Sequence, residues 1–78
     1  MYDEDNVDEM VLALLHLNAF QDGGVVRAWK GFDWDAMDRL YEKGMISDPK
    51  SKAKSVVLTE VGERRARELF EEHFRADS

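Results

Sequence analysis

Hydrophobic residues recur at helical spacing in three stretches of the chain. In the first, Val7, Met10, Val11, Leu14 and Leu17 fall within one arc of a helical wheel, and that arc is expected to face the core. Asn6 with Glu9 has the form of a capping pair, so a helix is expected to start at Asn6. Asp22-Gly23-Gly24 is its expected stop, because consecutive glycines favour positive φ. Behind Asp33 as N-cap, Trp34, Met37, Leu40 and Tyr41 repeat at i, i+3 and i+4 spacing until Gly44 ends the pattern. Thr59 caps a last helix with the stripe Ala66, Leu69, Phe70 and Phe74. Its other face pairs Glu60 with Arg64, Glu63 with Arg67 and Glu71 with Arg75 at i,i+4, which predicts a solvated side.

Two short stretches follow a strand pattern instead. Met45-Ile46-Ser47 and Ser55-Val56-Val57-Leu58-Thr59 predict a hairpin around the polar loop DPKSKAK, seeded by Pro49. The segment VVRAWKGF, residues 25–32, reads either as a two-turn helix or as an extended stretch with Trp29 turned inward. Trp29 and Trp34 bracket KGFD, and at least one is expected in the core; with Phe32 and Tyr41 they could instead form a recognition patch. The organisation expected is an acidic tail at 1–5, one domain at 6–75 and a frayed end at 76–78.

Composition narrows the classes. A chain of 78 residues forms one domain and removes only about 60% of its unfolded surface from water, so its core is thin. Without cysteine there is neither a disulfide nor a thiolate metal site, and a cytoplasmic setting is expected. The acidic opening MYDEDNVDE lacks the basic and apolar regions of a secretory leader, and no apolar run is long enough to span a bilayer. A net charge of −6 repels phosphate at long range, so nucleic acid could be held only by a local basic patch.

Candidate chemistry is sparse. Asp33, Asp35 and Asp38 suggest a cation loop, but the glycine and final glutamate of a calcium loop are missing, and helical spacing would scatter the carboxylates. His16 and His73 have no partner at metal-ligand spacing, and Ser47, Ser51 and Ser55 have no recognisable base. No catalytic constellation, metal site or cofactor is expected. Lys50, Lys52 and Lys54 alternate, so an extended arm would project them from one side. They read as phosphate contacts of a wing or as lysines guarding an exposed hairpin.

The run WDAMDRLYEKGMISDPKSKAKSVVLTEVGERRARELF resembles the recognition helix, wing and following helix of MarR-type and PadR-type regulators. The longer string from AWKGFDWD to KGMISDPKSKAKSVVLTEVG is similar to a small bacterial family of domains with no assigned function. The resemblance implies an α+β, mostly helical, winged-helix-like fold of three helices and a two-stranded β-hairpin wing. Two departures matter: only residues 25–32 are available for the helix that should precede the reading helix, and Asp33, Asp35 and Asp38 crowd the start of that reading helix.

Two functions are therefore expected to compete, neither enzymatic. One is a protein-interaction module, self-associating as a homodimer through Leu12, Leu15 and Ala19, a second apolar stripe on the first helix. The alternative is a small regulator that binds DNA weakly through Lys50, Lys52 and Lys54, with Arg27, Lys30 and Arg39 as auxiliary phosphate contacts.

Overall fold

A computed structural model describes residues 2–75; the fraying expected at 76–78 lies outside the described residues. The fold is α+β: α1 (Glu4–Leu17), β1 (Phe20–Asp22), β2 (Val25–Trp29), α2 (Trp34–Glu42), β3 (Ser55–Leu58) and α3 (Glu60–Phe74). The three strands form one antiparallel sheet in the order β1-β2-β3, where a two-stranded wing was expected. Met45–Ser47 contributes only the single bridge of Ile46 to Leu58, supported by Ser47 N donating to the Val57 carbonyl.

The helix starts differ in instructive ways. Asp33 and Thr59 cap α2 and α3 as their positions predict, accepting from Ala36 N and Gly62 N. For α1 the cap is Asp3, not Asn6: its carboxylate accepts from Asp5 N and Asn6 N. Glu4 and Asp5, read as part of a tail, instead form the first helical turn, where negative charge suits the helix dipole.

Gly23-Gly24 does not stop α1, which ends at Leu17. The pair is the two-residue loop of the β1-β2 hairpin, with φ of 60° and 89°, as a turn needing positive φ at both central residues requires. Residues 25–29 are accordingly extended.

Alternation along the strands sorts the sheet into two faces. Val26, Ala28, Val56 and Leu58 point inward and join Val11, Leu12, Leu15, Met37, Leu40, Ile46, Ala66 and Leu69 in one core. Helix α1 packs chiefly along α3, with α2 against its other flank. Phe20, Asp22, Val25, Arg27, Trp29, Ser55 and Val57 share the outer face, and no helix covers it. Both tryptophans are exposed, Trp29 at 55% and Trp34 at 60%, which overturns the expectation that one of them anchors the core. Strand register turns Trp29 outward, and Trp34 lies at the first position of α2.

Candidate nucleic-acid interface

The outer face of the sheet carries the features that set it apart. Phe20 and Trp29 lie diagonally across the β1-β2 ladder, ring centroids 5.4 Å apart and planes inclined by 37°. Opposite Phe20 and on the same face, Arg27 reaches over β3 and donates from Nε to Ser55 Oγ at 2.7 Å and from Nη2 to the Ser55 carbonyl at 3.2 Å. The guanidinium is thus fixed over β3 by neutral acceptors.

The loop that feeds β3 is braced from below. Lys30 Nζ donates to the carbonyls of Pro49 and Ser51, both at 2.6 Å, while Lys30 N donates to the Lys54 carbonyl at 3.3 Å. Asp48 accepts from Lys50 N at 2.9 Å, which tightens the turn and leaves one carboxylate charge within the loop. Pro49 is buried, whereas Lys50, Lys52 and Lys54 are exposed. A short loop of this composition would sample many shapes; these four hydrogen bonds and one buried proline restrict it.

Five of the six residues proposed as phosphate contacts therefore meet at one end of the sheet: Arg27, Lys30, Lys50, Lys52 and Lys54. Among the described residues none of the five has a carboxylate within ion-pair distance, which is true also of Arg67, whose expected pair with Glu63 does not form, while Arg39, Lys43, Arg64 and Arg65 all have one. The sixth, Arg39, belongs elsewhere, because it faces α1.

Residues 3–76 match the domain of unknown function DUF6429. The chain belongs to the DUF6429 family. It is also 53% identical over 72 residues to an uncharacterized protein, y4hR, of Sinorhizobium fredii (strain NBRC 101917 / NGR234), covering 92% of this chain and 93% of that protein. No solved structure matches.

In this DUF6429 domain the second cluster of charge is structural. Asp8 is buried, and Arg39 Nε lies 2.9 Å from each of its oxygens, with Nη2 2.8 Å from Oδ1. Nη2 donates no aligned hydrogen bond, so it is held there by charge alone. Lys43 Nζ adds a fourth contact at 2.9 Å, and Glu4 and Asp5 complete the network at its exposed edge. Burial pushes the Asp8 carboxyl up, but the hydrogen bonds and charges of Arg39 and Lys43 outweigh it and leave the group below the usual aspartate range. Asp8 in turn holds the Lys43 ammonium and the Arg39 guanidinium above theirs.

That cluster has a consequence for α2 as a reading helix. Its one cation, Arg39, and its C-cap Lys43 are committed to Asp8, and its exposed side keeps Asp35 and Glu42, with Asp38 half-buried. A duplex approaching α2 would meet carboxylates. No helix of the described residues is long and apolar enough to cross a membrane.

The stripe proposed as a dimer interface is also relocated. Leu12 and Leu15 are 2% and 0% exposed within the chain, and Ala19 is half-buried against the core. Helix α3 covers this side, bringing Ala66 and Leu69 into the core, while Phe70 packs on His16 at 5.2 Å between ring centroids. The exposed residue is Leu17, which had been placed in the core arc.

Proposed function

We propose that this DUF6429 domain is a non-enzymatic binding module that holds a nucleic-acid strand along its basic loop and the aromatic outer face of the sheet beside it. One observation carries the reading. In a chain of net charge −6, five cations without a carboxylate partner gather beside an exposed tryptophan. Cations that only solubilise a surface need no internal bracing, yet Lys30 and Arg27 fix the loop and strand that present the other three. The arm from Ile46 to Leu58 also resembles the wing of winged-helix regulators in its basic loop, a likeness that supports phosphate contact by Lys50, Lys52 and Lys54.

The net negative charge does not decide against this. At physiological ionic strength charges are screened beyond about 8 Å. The protein measures 39 × 34 × 19 Å, so carboxylates on its far sides lie several screening lengths from the lysine loop. A cytoplasmic protein would meet such strands.

The test is binding of a fluorescently labelled oligonucleotide to the full chain and to a Lys50→Gln, Lys52→Gln, Lys54→Gln variant. Wild-type dissociation constants in the range of about 10⁻⁵–10⁻⁴ M at low salt, lost in the variant, support the reading. Equal affinity of the two proteins contradicts it.

Self-association is the second reading, favoured by Val25, Phe20 and Trp29 as an apolar portion of the same uncovered face. Sedimentation at micromolar concentration tests it, and a 9.0 kDa species throughout would exclude it at that concentration.

A further inference from the structure

We infer that the strand taken is single, with a base stacked on Trp29; this rests on the nucleic-acid reading above and specifies its ligand. Three observations converge on it. The indole of Trp29 is more than half exposed, yet it is not free to wander: strand register fixes its Cα opposite Ser55, and Phe20 packs on its ring. A fixed, exposed ring on a sheet is a stacking platform, and every base offers a face to it regardless of sequence.

The lysine loop joins the sheet at the rung next to that ring. Lys54 immediately precedes Ser55, the residue paired with Trp29, and its carbonyl accepts from Lys30 N, so the basic loop borders the indole at the end of the sheet, with Lys30 and Lys54 themselves alternating to the other side of the strands. Arg27 lies two residues back from Trp29 on the same face. The surface is thus complementary to a polyanion that carries accessible planar rings.

A duplex does not satisfy it. Its base faces are hidden in the stack, and its grooves are read by an inserted helix or ribbon. The helix available, α2, offers Asp35 and Glu42 and has Arg39 and its C-cap Lys43 turned to Asp8. An acidic polypeptide matches the charge but leaves Trp29 without a ring to stack on.

The experiment compares a labelled thymidine strand of about 12 nucleotides, within the span of small single-strand sites, with a mixed-sequence duplex of equal length. Anisotropy is followed with the full-length wild type and with Trp29→Leu, Trp29→Phe and Trp34→Leu, all checked for folding by circular dichroism. The wild type is expected to prefer the strand by about fivefold or more, and Trp29→Leu to weaken strand binding by about five- to tenfold. Duplex binding should be unchanged in Trp29→Leu; Trp29→Phe should restore part of the loss, and Trp34→Leu should change nothing. Equal or tighter duplex binding, or strand binding indifferent to Trp29→Leu, overturns the inference while the broader nucleic-acid reading stands. Displacement of the strand by polyglutamate at equal charge concentration overturns it in favour of an acidic polypeptide partner. Failure of the wild type to bind either nucleic acid removes both readings.

Discussion

Asp8 of α1 and Arg39 of α2 are joined through a buried carboxylate whose two oxygens each lie 2.9 Å from the Arg39 Nε, across 31 residues of sequence. With Lys43, the C-cap residue of α2, this contact sets the rotation of α2 against α1 and commits both cations to Asp8 while each still reaches water. It therefore links the packing of the helices to the location of the basic face, which is left to the sheet.

Replacing Asp8 by Asn should destabilise the fold by about 2–3 kcal/mol, below the usual loss for one partner of a buried pair because Lys43 and Arg39 still reach water. The pH dependence has a definite sign. A carboxyl held below its ordinary value contributes stability that is fully present above the unfolded value near 4, and that contribution is lost as pH falls through the lower folded value. Urea unfolding from pH 6 to pH 2 should show a shallower acid loss in Asp8→Asn than in the wild type. Parallel profiles would mean that Asp8 is not the group titrating.

Gly62 sits in the first turn of α3, where alanine would ordinarily improve a helix by up to about 1 kcal/mol. Here a Cβ would overlap the Met45 carbonyl oxygen and lie 2.7 Å from its carbon. That carbonyl is itself fixed, accepting from Thr59 N at 3.0 Å and Thr59 Oγ1 at 3.2 Å. Gly62→Ala should reverse the ordinary sign and cost about 1–3 kcal/mol. Thermal melting decides it, since a raised midpoint is incompatible with this close approach.

Leu15 fills the core between α1 and α3. Leu15→Ala should cost about 2–5 kcal/mol, and Leu15→Glu should abolish cooperative unfolding. A Leu15→Glu protein that kept its circular dichroism and merely lost mass by sedimentation would return this residue to an intermolecular interface.

Local signals in the sequence carried the helix starts at Asp33 and Thr59, because a cap and the apolar period behind it lie within one turn of each other. The face of α1 was not legible. Its core side is centred near Asp8, Leu12 and Leu15, and a carboxylate in that arc disguises it unless the partners 31 and 35 residues away are known. The wheel was accordingly rotated toward Leu17, and Leu12 and Leu15 were left over as an apparent second stripe. The first hairpin is open to reading: Gly-Gly between Phe20-Gln21-Asp22 and the β-branched run Val25-Val26 is a two-residue turn signal, although the same pair also has the form of a helix stop. Of the candidate site, the alternating lysines were visible in the sequence. Their juxtaposition with Trp29 and Phe20 depends on β2 pairing with β3, a contact between distant segments.

The most direct test of the central claim, that the braced lysine loop and its sheet form a phosphate-binding face, is the salt dependence of single-strand binding. Three to five cations releasing counterions from a strand predict a slope of log K against log salt of about −2 to −3.5. The Lys50→Gln, Lys52→Gln, Lys54→Gln variant should lose about 2 of that slope. A slope near zero for the wild type, or one unchanged in the triple variant, would contradict the account.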